Sequence, residues 1–237
     1  RGEFSCRHTA HARSAGASDA DRKHAHELRE GVKAKVKQAG LWAPHLPEQY
    51  GGCGLGFLEH AYMNEVLAYS PGAASLFGVV APNSGNQKIL VQYGTPEQHE
   101  KWLKPLLNGE IRSAYAMTEP GVASSDAKNI SMRAELVGDQ WVLNGEKYYI
   151  GNGNEAAIVS TFGKFADTGE YVFFAADYRH RNYNLIKNVT DSQSYVANFA
   201  LTDYPITEAD ILHRGQAAWD AALNTVNIGK YNLGWAS

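Results

Sequence analysis

The sequence predicts an α+β chain: helices to about residue 110, a mainly antiparallel β region over 111–205, and helix again from about 217. Three observations carry that expectation. In the first half, apolar residues recur at a helical period, as at positions 58, 61, 62, 66 and 69. Past residue 111 they fall into short alternating runs with turn residues between them. From Ala217 the helical period returns, placing Ala218, Ala222, Val226, Gly229 and Leu233 on one face. The expected divisions are 1–18, 19–110, 111–216 and 217–237.

In chain order, the charge-rich segment 19–38 reads as a helix stopped by Gly40. A second covers 57–69. A third covers 75–93, with Pro82 and Gly85 breaking or kinking it and Gly94 past its end. Thr95-Pro-Glu-Gln98 is a capping box with Pro at the first helical position, so a new helix starts there and stops at Asn108-Gly109. The β-like segments are 131–137, 140–143, 146–150, 157–162, 171–176 and 195–201. Asn144-Gly145 is the pair expected to turn a hairpin between 141–143 and 146–150.

Composition narrows the class of function. Hydrophobic residues are 44% and charged residues 20% of the chain, a globular balance. A net charge of −3 and the lack of a basic stripe argue against a nucleic-acid partner. No apolar run reaches the ~20 residues that span a bilayer. The two cysteines, Cys6 and Cys53, give no disulfide framework, which fits a reducing compartment. The location expected is cytoplasmic, or the mitochondrial matrix in a eukaryote. Residues 1–18 are rich in Arg, Ser, Ala and His, with Glu3 alone acidic. A disordered leader or expression remnant is expected there, with a transit segment as the functional alternative. His8, His11, His24 and His26 lack acidic or cysteine partners at metal-ligand spacing and read as solvated.

The segment 114–127 carries the chemistry. A Pro turn, a Gly and a run of small and hydroxyl residues follow an apolar stretch, leaving backbone N–H groups open beside Thr118, Ser124 and Ser125. Such a loop can hold a phosphate-bearing or polarisable cofactor without a lysine, or can be only a loop. The glycines of 51–56 do not have G-x-G-x-x-G spacing and follow no strand, so they read as a turn between helices.

Tyr115-Ala-Met-Thr-Glu-Pro, continued by Ala-Ser-Ser-Asp126, resembles the flavin signature T-E-P-x-A-G-S-D of the acyl-CoA dehydrogenases. Three collinear blocks agree: Leu46-Pro-Glu-Gln-Tyr-Gly-Gly-Cys-Gly-Leu55, Tyr93-Gly-Thr-Pro-Glu-Gln-His-Glu-Lys-Trp-Leu-Lys-Pro-Leu, and Trp141-Val-Leu-Asn-Gly-Glu-Lys-Tyr-Tyr-Ile-Gly-Asn152. The resemblance implies an α-helical N-terminal domain, a middle antiparallel β-barrel that binds flavin, and the start of a truncated C-terminal helix. It implies FAD as cofactor, held by Met117, Thr118, Ser124, Ser125, Tyr149, Ile150 and Gly151. Thr118 would bond the isoalloxazine and 124–125 would reach the pyrophosphate. An acyl-CoA thioester is the implied substrate and electron-transfer flavoprotein the implied acceptor. A homo-oligomer, dimer or tetramer, is implied at full length.

There are departures. Six residues separate Glu119 from Asp126, one more than in the common signature, and the final pair is Ser-Ser. The longer form resembles the branch that includes dehydrogenase domains fused to kinase-like domains. Tyr149 stands where the family usually has Trp, and Gly151 where it has Thr or Ser. Glu119 is expected to fix a turn and Asp220 a helix start, so neither is taken as the catalytic base, which is expected outside this chain. Two other readings stay open: a same-fold oxidase or DNA-damage-associated relative, and a non-catalytic half of a mixed oligomer.

Overall fold

The structure, a computed structural model, describes residues 18–235 apart from 71, 124–125 and 190–195, and describes no side chains from 228 onward. The chain forms two compact units, residues 1–84 with 229–237 and residues 85–228.

Helices make up the first unit. Helix α1, Asp19–Gln38, starts in a capping box: the Ser18 hydroxyl accepts from Asp21 N at 3.1 Å while Asp21 Oδ2 accepts from Ser18 N at 3.0 Å. Acidic residues fill its first turn and lysines its last, matching the helix dipole. Helix α2 is Phe57–Ala68 and the short α3 is Ala73–Leu76. Between α1 and α2 the glycine-rich run is a tight turn. A Cβ on Gly52 would fall 2.2 Å from the Leu46 carbonyl oxygen.

Helix α4, Asn83–Tyr93, opens the second unit's helical part. The segment 75–93, expected to break or kink at Pro82 and Gly85, is α3 and α4, separated around a cis Ala81–Pro82 bond. Gly85 does not break α4. A Cβ there would sit 3.2 Å from Thr225 Cγ2, so the glycine lets α4 pack closely on the last helix. The Thr95 capping box forms as read, and α5 runs over 96–108, with His99–Leu103 wound as a π-helix.

Eight strands follow: β1 Ser113–Ala116, β2 Arg133–Val137, β3 Gln140–Gly151, β4 Ile158–Phe165, β5 Tyr171–Ala176, β6 Tyr183–Asn188, β7 Val196–Ile206 and β8 Ile211–Arg214. Helix α6, Gly215–Trp235, closes the order two residues earlier than read. The strands form one sheet, β6-β7-β3-β2-β4-β5-β8, with β1 added beside β4. Among the described residues no ladder joins β6 to β8, so the sheet is open where a closed barrel was expected. It is also mixed: β4 runs parallel to both β1 and β2 and antiparallel to β5.

Period-2 alternation fails in β5, where Val172, Phe173 and Phe174 are all fully buried. Trp219 of α6 covers one face there, packing on Tyr171 and Phe162 with ring centroids 4.9 and 6.2 Å away. A strand covered on both faces reads as a continuous apolar run. Strand β6 is the opposite case, exposed along most of its length at a sheet edge. It was absent from the reading because one buried residue, Tyr183, gives no alternation.

Asn144-Gly145 does not turn the expected hairpin. The β2–β3 turn lies at Gly138-Asp139, and β3 continues straight through Asn144-Gly145 as a bulge against β7. Gly145 has φ +152°, and a Cβ there would fall 2.9 Å from Met132 Cα. Asn144 meanwhile pairs across the sheet, accepting from Asp203 N at 2.9 Å. Close approach to Met132, the residue before β2, uses this glycine, not a turn.

Candidate functional site

The loop from Met117 and the strand from Gly145 come together in the second unit. The Thr118 carbonyl accepts from Tyr148 N at 3.0 Å, and the Thr118 hydroxyl donates to the Tyr148 carbonyl. These reciprocal bonds lay residue 118 beside the Tyr148–Gly151 segment. The hydroxyl proton expected for a ring contact is thus already committed, leaving the oxygen's lone pairs and the backbone N–H.

Beneath this contact lies a buried ion pair. Glu119 and Lys147 have side chains 1% and 0% exposed, with Lys147 Nζ 2.9 Å from Glu119 Oε1. Glu119 also accepts from Ser131 N at 2.6 Å, from the Ser131 hydroxyl and from Met132 N at 3.1 Å. It therefore ties both ends of the 119–131 loop at its neck. The expectation that Glu119 fixes a turn understated its reach: it joins the loop to strand β3. Burial by itself would raise the Glu119 carboxyl, but the Lys147 charge and the Ser131 hydrogen bonds hold it below the usual carboxylate range. Burial draws the Lys147 ammonium down to about 8 against the pull of Glu119. Both shifts leave the pair ionised at neutral pH.

Lys147 completes its three donors on the carbonyls of Met117, at 3.0 Å, and Phe162, at 2.7 Å. Sequence reasoning missed it. Parity along β3 gave no clean signal, because the bulge between Leu143 and Gly145 interrupts it, although Leu143 and Lys147 are both buried. A lysine at an inward position asks for a buried partner.

The remaining residues of the reading separate into two groups. Met117 and Ile150 are buried, 7% and 2% exposed, so their side chains offer a ligand little surface. Tyr149 is 60% exposed, has φ +57°, and sits in the bulge between Lys147 and Ile150, its ring edge-on to Tyr148 at 4.3 Å. A Cβ on Gly151 would meet nothing within 4 Å. Ser124 and Ser125 lie outside the described residues. Downstream, the Asp126 carboxylate caps the short turn Ala127–Asn129, accepting from Lys128 N at 3.1 Å. Asp220 accepts from Gln216 Nε2 at 2.8 Å within α6.

The family model for the acyl-CoA dehydrogenase N-terminal domain matches residues 5–110, and the model for the middle domain matches residues 114–194. The chain belongs to the acyl-CoA dehydrogenase family. Acyl-CoA dehydrogenase family member 10 of Mus musculus is 45% identical over 137 residues, covering 56% of this chain and 13% of that protein. A solved structure from Mycobacterium abscessus, assigned to the acyl-CoA dehydrogenases, superposes with TM-score 0.81 at 26% identity. That match covers 97% of this chain and 59% of the other. An acyl-CoA dehydrogenase of Bacillus anthracis complexed with FAD gives TM-score 0.69 at 26% identity, covering 99% and 42%. The chain thus spans about an eighth of the mouse relative and about three-fifths of the mycobacterial one. Among the described residues of this family member, no helix is long and apolar enough to cross a membrane.

Proposed function

We propose that this chain carries the cofactor-binding part of an FAD-dependent acyl-CoA dehydrogenase that desaturates the α,β bond of an acyl-CoA thioester. The observation that carries the reading is the reciprocal hydrogen bonding of Thr118 and Tyr148, which sets the loop and the strand side by side. The complex of the Bacillus anthracis relative with FAD supports the cofactor. The residues present suit a flat ring: Tyr149 stands exposed with its backbone already turned outward, and the space at Gly151 is open.

Met117, Thr118, Tyr149, Ile150 and Gly151 hold the ring on this reading, with Met117 and Ile150 acting through backbone groups. The family resemblance assigns Ser124 and Ser125 to the pyrophosphate. FAD bound there supplies the two-electron acceptor for the substrate's β-hydride. The chain's own residues orient the ring and offer preorganised donors where negative charge develops. With FAD bound, Tyr149 would pack against a ring face and shield it from water.

The carboxylate that takes the α-proton lies outside these 237 residues. A base must reach the substrate carbon, whereas Glu119 is buried and held by Lys147 and Ser131, and Asp220 is an exposed residue of α6 that accepts from Gln216 one turn before it. Electron-transfer flavoprotein serves as acceptor, and the full-length protein is a homo-oligomer. Reconstitution of the full natural chain with FAD tests the reading. A yellow complex bleached by acyl-CoA without air is expected, with turnover absent from the 237-residue chain alone. A full chain that takes up no flavin would end it, and turnover by the short chain would show the base to be misplaced.

A further inference from the structure

We propose that Lys147 is a positioning residue of the cofactor site, aiming the Met117–Thr118 peptide so that its N–H serves the bound ring. The proposal rests on the FAD reading above and adds a residue that need not touch the ligand. Lys147 is fully buried and spends its three donors on Glu119 Oε1, the Met117 carbonyl and the Phe162 carbonyl. Pairing with Glu119 accounts for one of these. The bond to Met117 has a separate consequence.

Met117 lies one residue past β1, where the sheet ladder no longer dictates which way a peptide faces. Among the described residues the one cis peptide is Ala81–Pro82, so the Met117–Thr118 bond is trans and planar. With its C=O drawn inward to Lys147 Nζ, the Thr118 N–H must point the opposite way, out of the buried pocket. That N–H has no acceptor among the described residues. The other polar groups of Thr118 are engaged with Tyr148. The backbone N–H is therefore the donor that position 118 has left to give.

The charge of Lys147 also acts through the peptide. A carbonyl that accepts from an ammonium is polarised, and its partner N–H becomes a stronger donor. Such a donor favours a ring that has gained electron density over one that has not. Lys147 thereby sets both the direction and the strength of a contact made by another residue.

Two measurements test this. In the wild-type full chain, hydrogen exchange at the Thr118 amide is expected to slow at least tenfold when FAD binds. An amide unchanged by bound FAD overturns the proposal while leaving the FAD reading intact; failure to bind FAD sinks that reading instead. In the second measurement, Glu119→Gln and Lys147→Met are combined so that no buried charge is left unpaired. FAD affinity is expected to fall about tenfold for the oxidised form and a further tenfold for the reduced form. That further tenfold lowers the two-electron potential by about 30 mV. A folded double variant with unchanged affinity and potential reduces Lys147 to a structural role and overturns the proposal. Should the double variant not fold, the Thr118 amide in the wild type decides alone.

Discussion

Strand β3 is bulged twice against β7, between Leu143 and Gly145 and again between Lys147 and Ile150, and the two bulges do opposite things. At the first, Gly145 presses its backbone on Met132, so close that no side chain fits. At the second, Tyr149 takes a left-handed backbone and turns its ring to solvent. Lys147 lies between them and anchors the strand to the loop neck through Glu119. One irregularity serves packing, the other presentation. A bulge re-aims side chains, and what surrounds it decides whether that buries or exposes them.

The largest effect is expected where the anchor between the bulges is broken. Lys147→Met alone leaves Glu119 charged and buried without its partner, a loss of about 3–5 kcal/mol in denaturant unfolding. Adding Glu119→Gln should recover much of this, so the two changes will be strongly non-additive. Additive losses would show that the pair is not the tie described.

Next comes the packing bulge. Gly145→Ala forces a Cβ to within 2.9 Å of Met132 Cα at a φ of +152°, and about 2–4 kcal/mol should be lost. The readout is the shift in denaturation midpoint at unchanged slope. A loss below about 1 kcal/mol would mean the strand can shift and the bulge is not fixed by contact with Met132.

The pH dependence separates the anchor from both bulges. The Glu119 carboxyl is held below its value in the unfolded chain, near ~4.3, so it contributes stability above that pH and loses it as pH falls through the folded value. Wild type should therefore exceed Glu119→Gln in stability at pH 7, with the difference shrinking below about pH 4. A difference constant from pH 7 to 3 would show that the carboxylate charge is not what matters.

The smallest effect belongs to the presenting bulge. Tyr149→Gly removes a side chain from a left-handed backbone, a strain of about 1–2 kcal/mol, and also its edge contact with Tyr148. Stability should change by less than about 1 kcal/mol, while FAD affinity falls. Stability lost on the scale of Gly145→Ala would make Tyr149 a packing residue, and the contrast between the bulges would collapse.

The sequence by itself determined the local steps. The Thr95 capping box, the apolar periods of α2 and α6, and the loop's hydroxyl and glycine content each depend on neighbours a few residues away, so they are legible in one dimension. The four family blocks placed the chain in its family. Only the tertiary structure decided how distant segments meet. Asn144-Gly145 has the right residues for a turn, but Met132, just before β2, and Asp203 of β7 claim them. Thr118 offers a hydroxyl in the sequence and spends it on Tyr148 in the fold. Glu119 and Lys147 look like two surface charges until burial in a low-dielectric interior makes each the other's required partner, because an unpaired charge there is far more costly than in water.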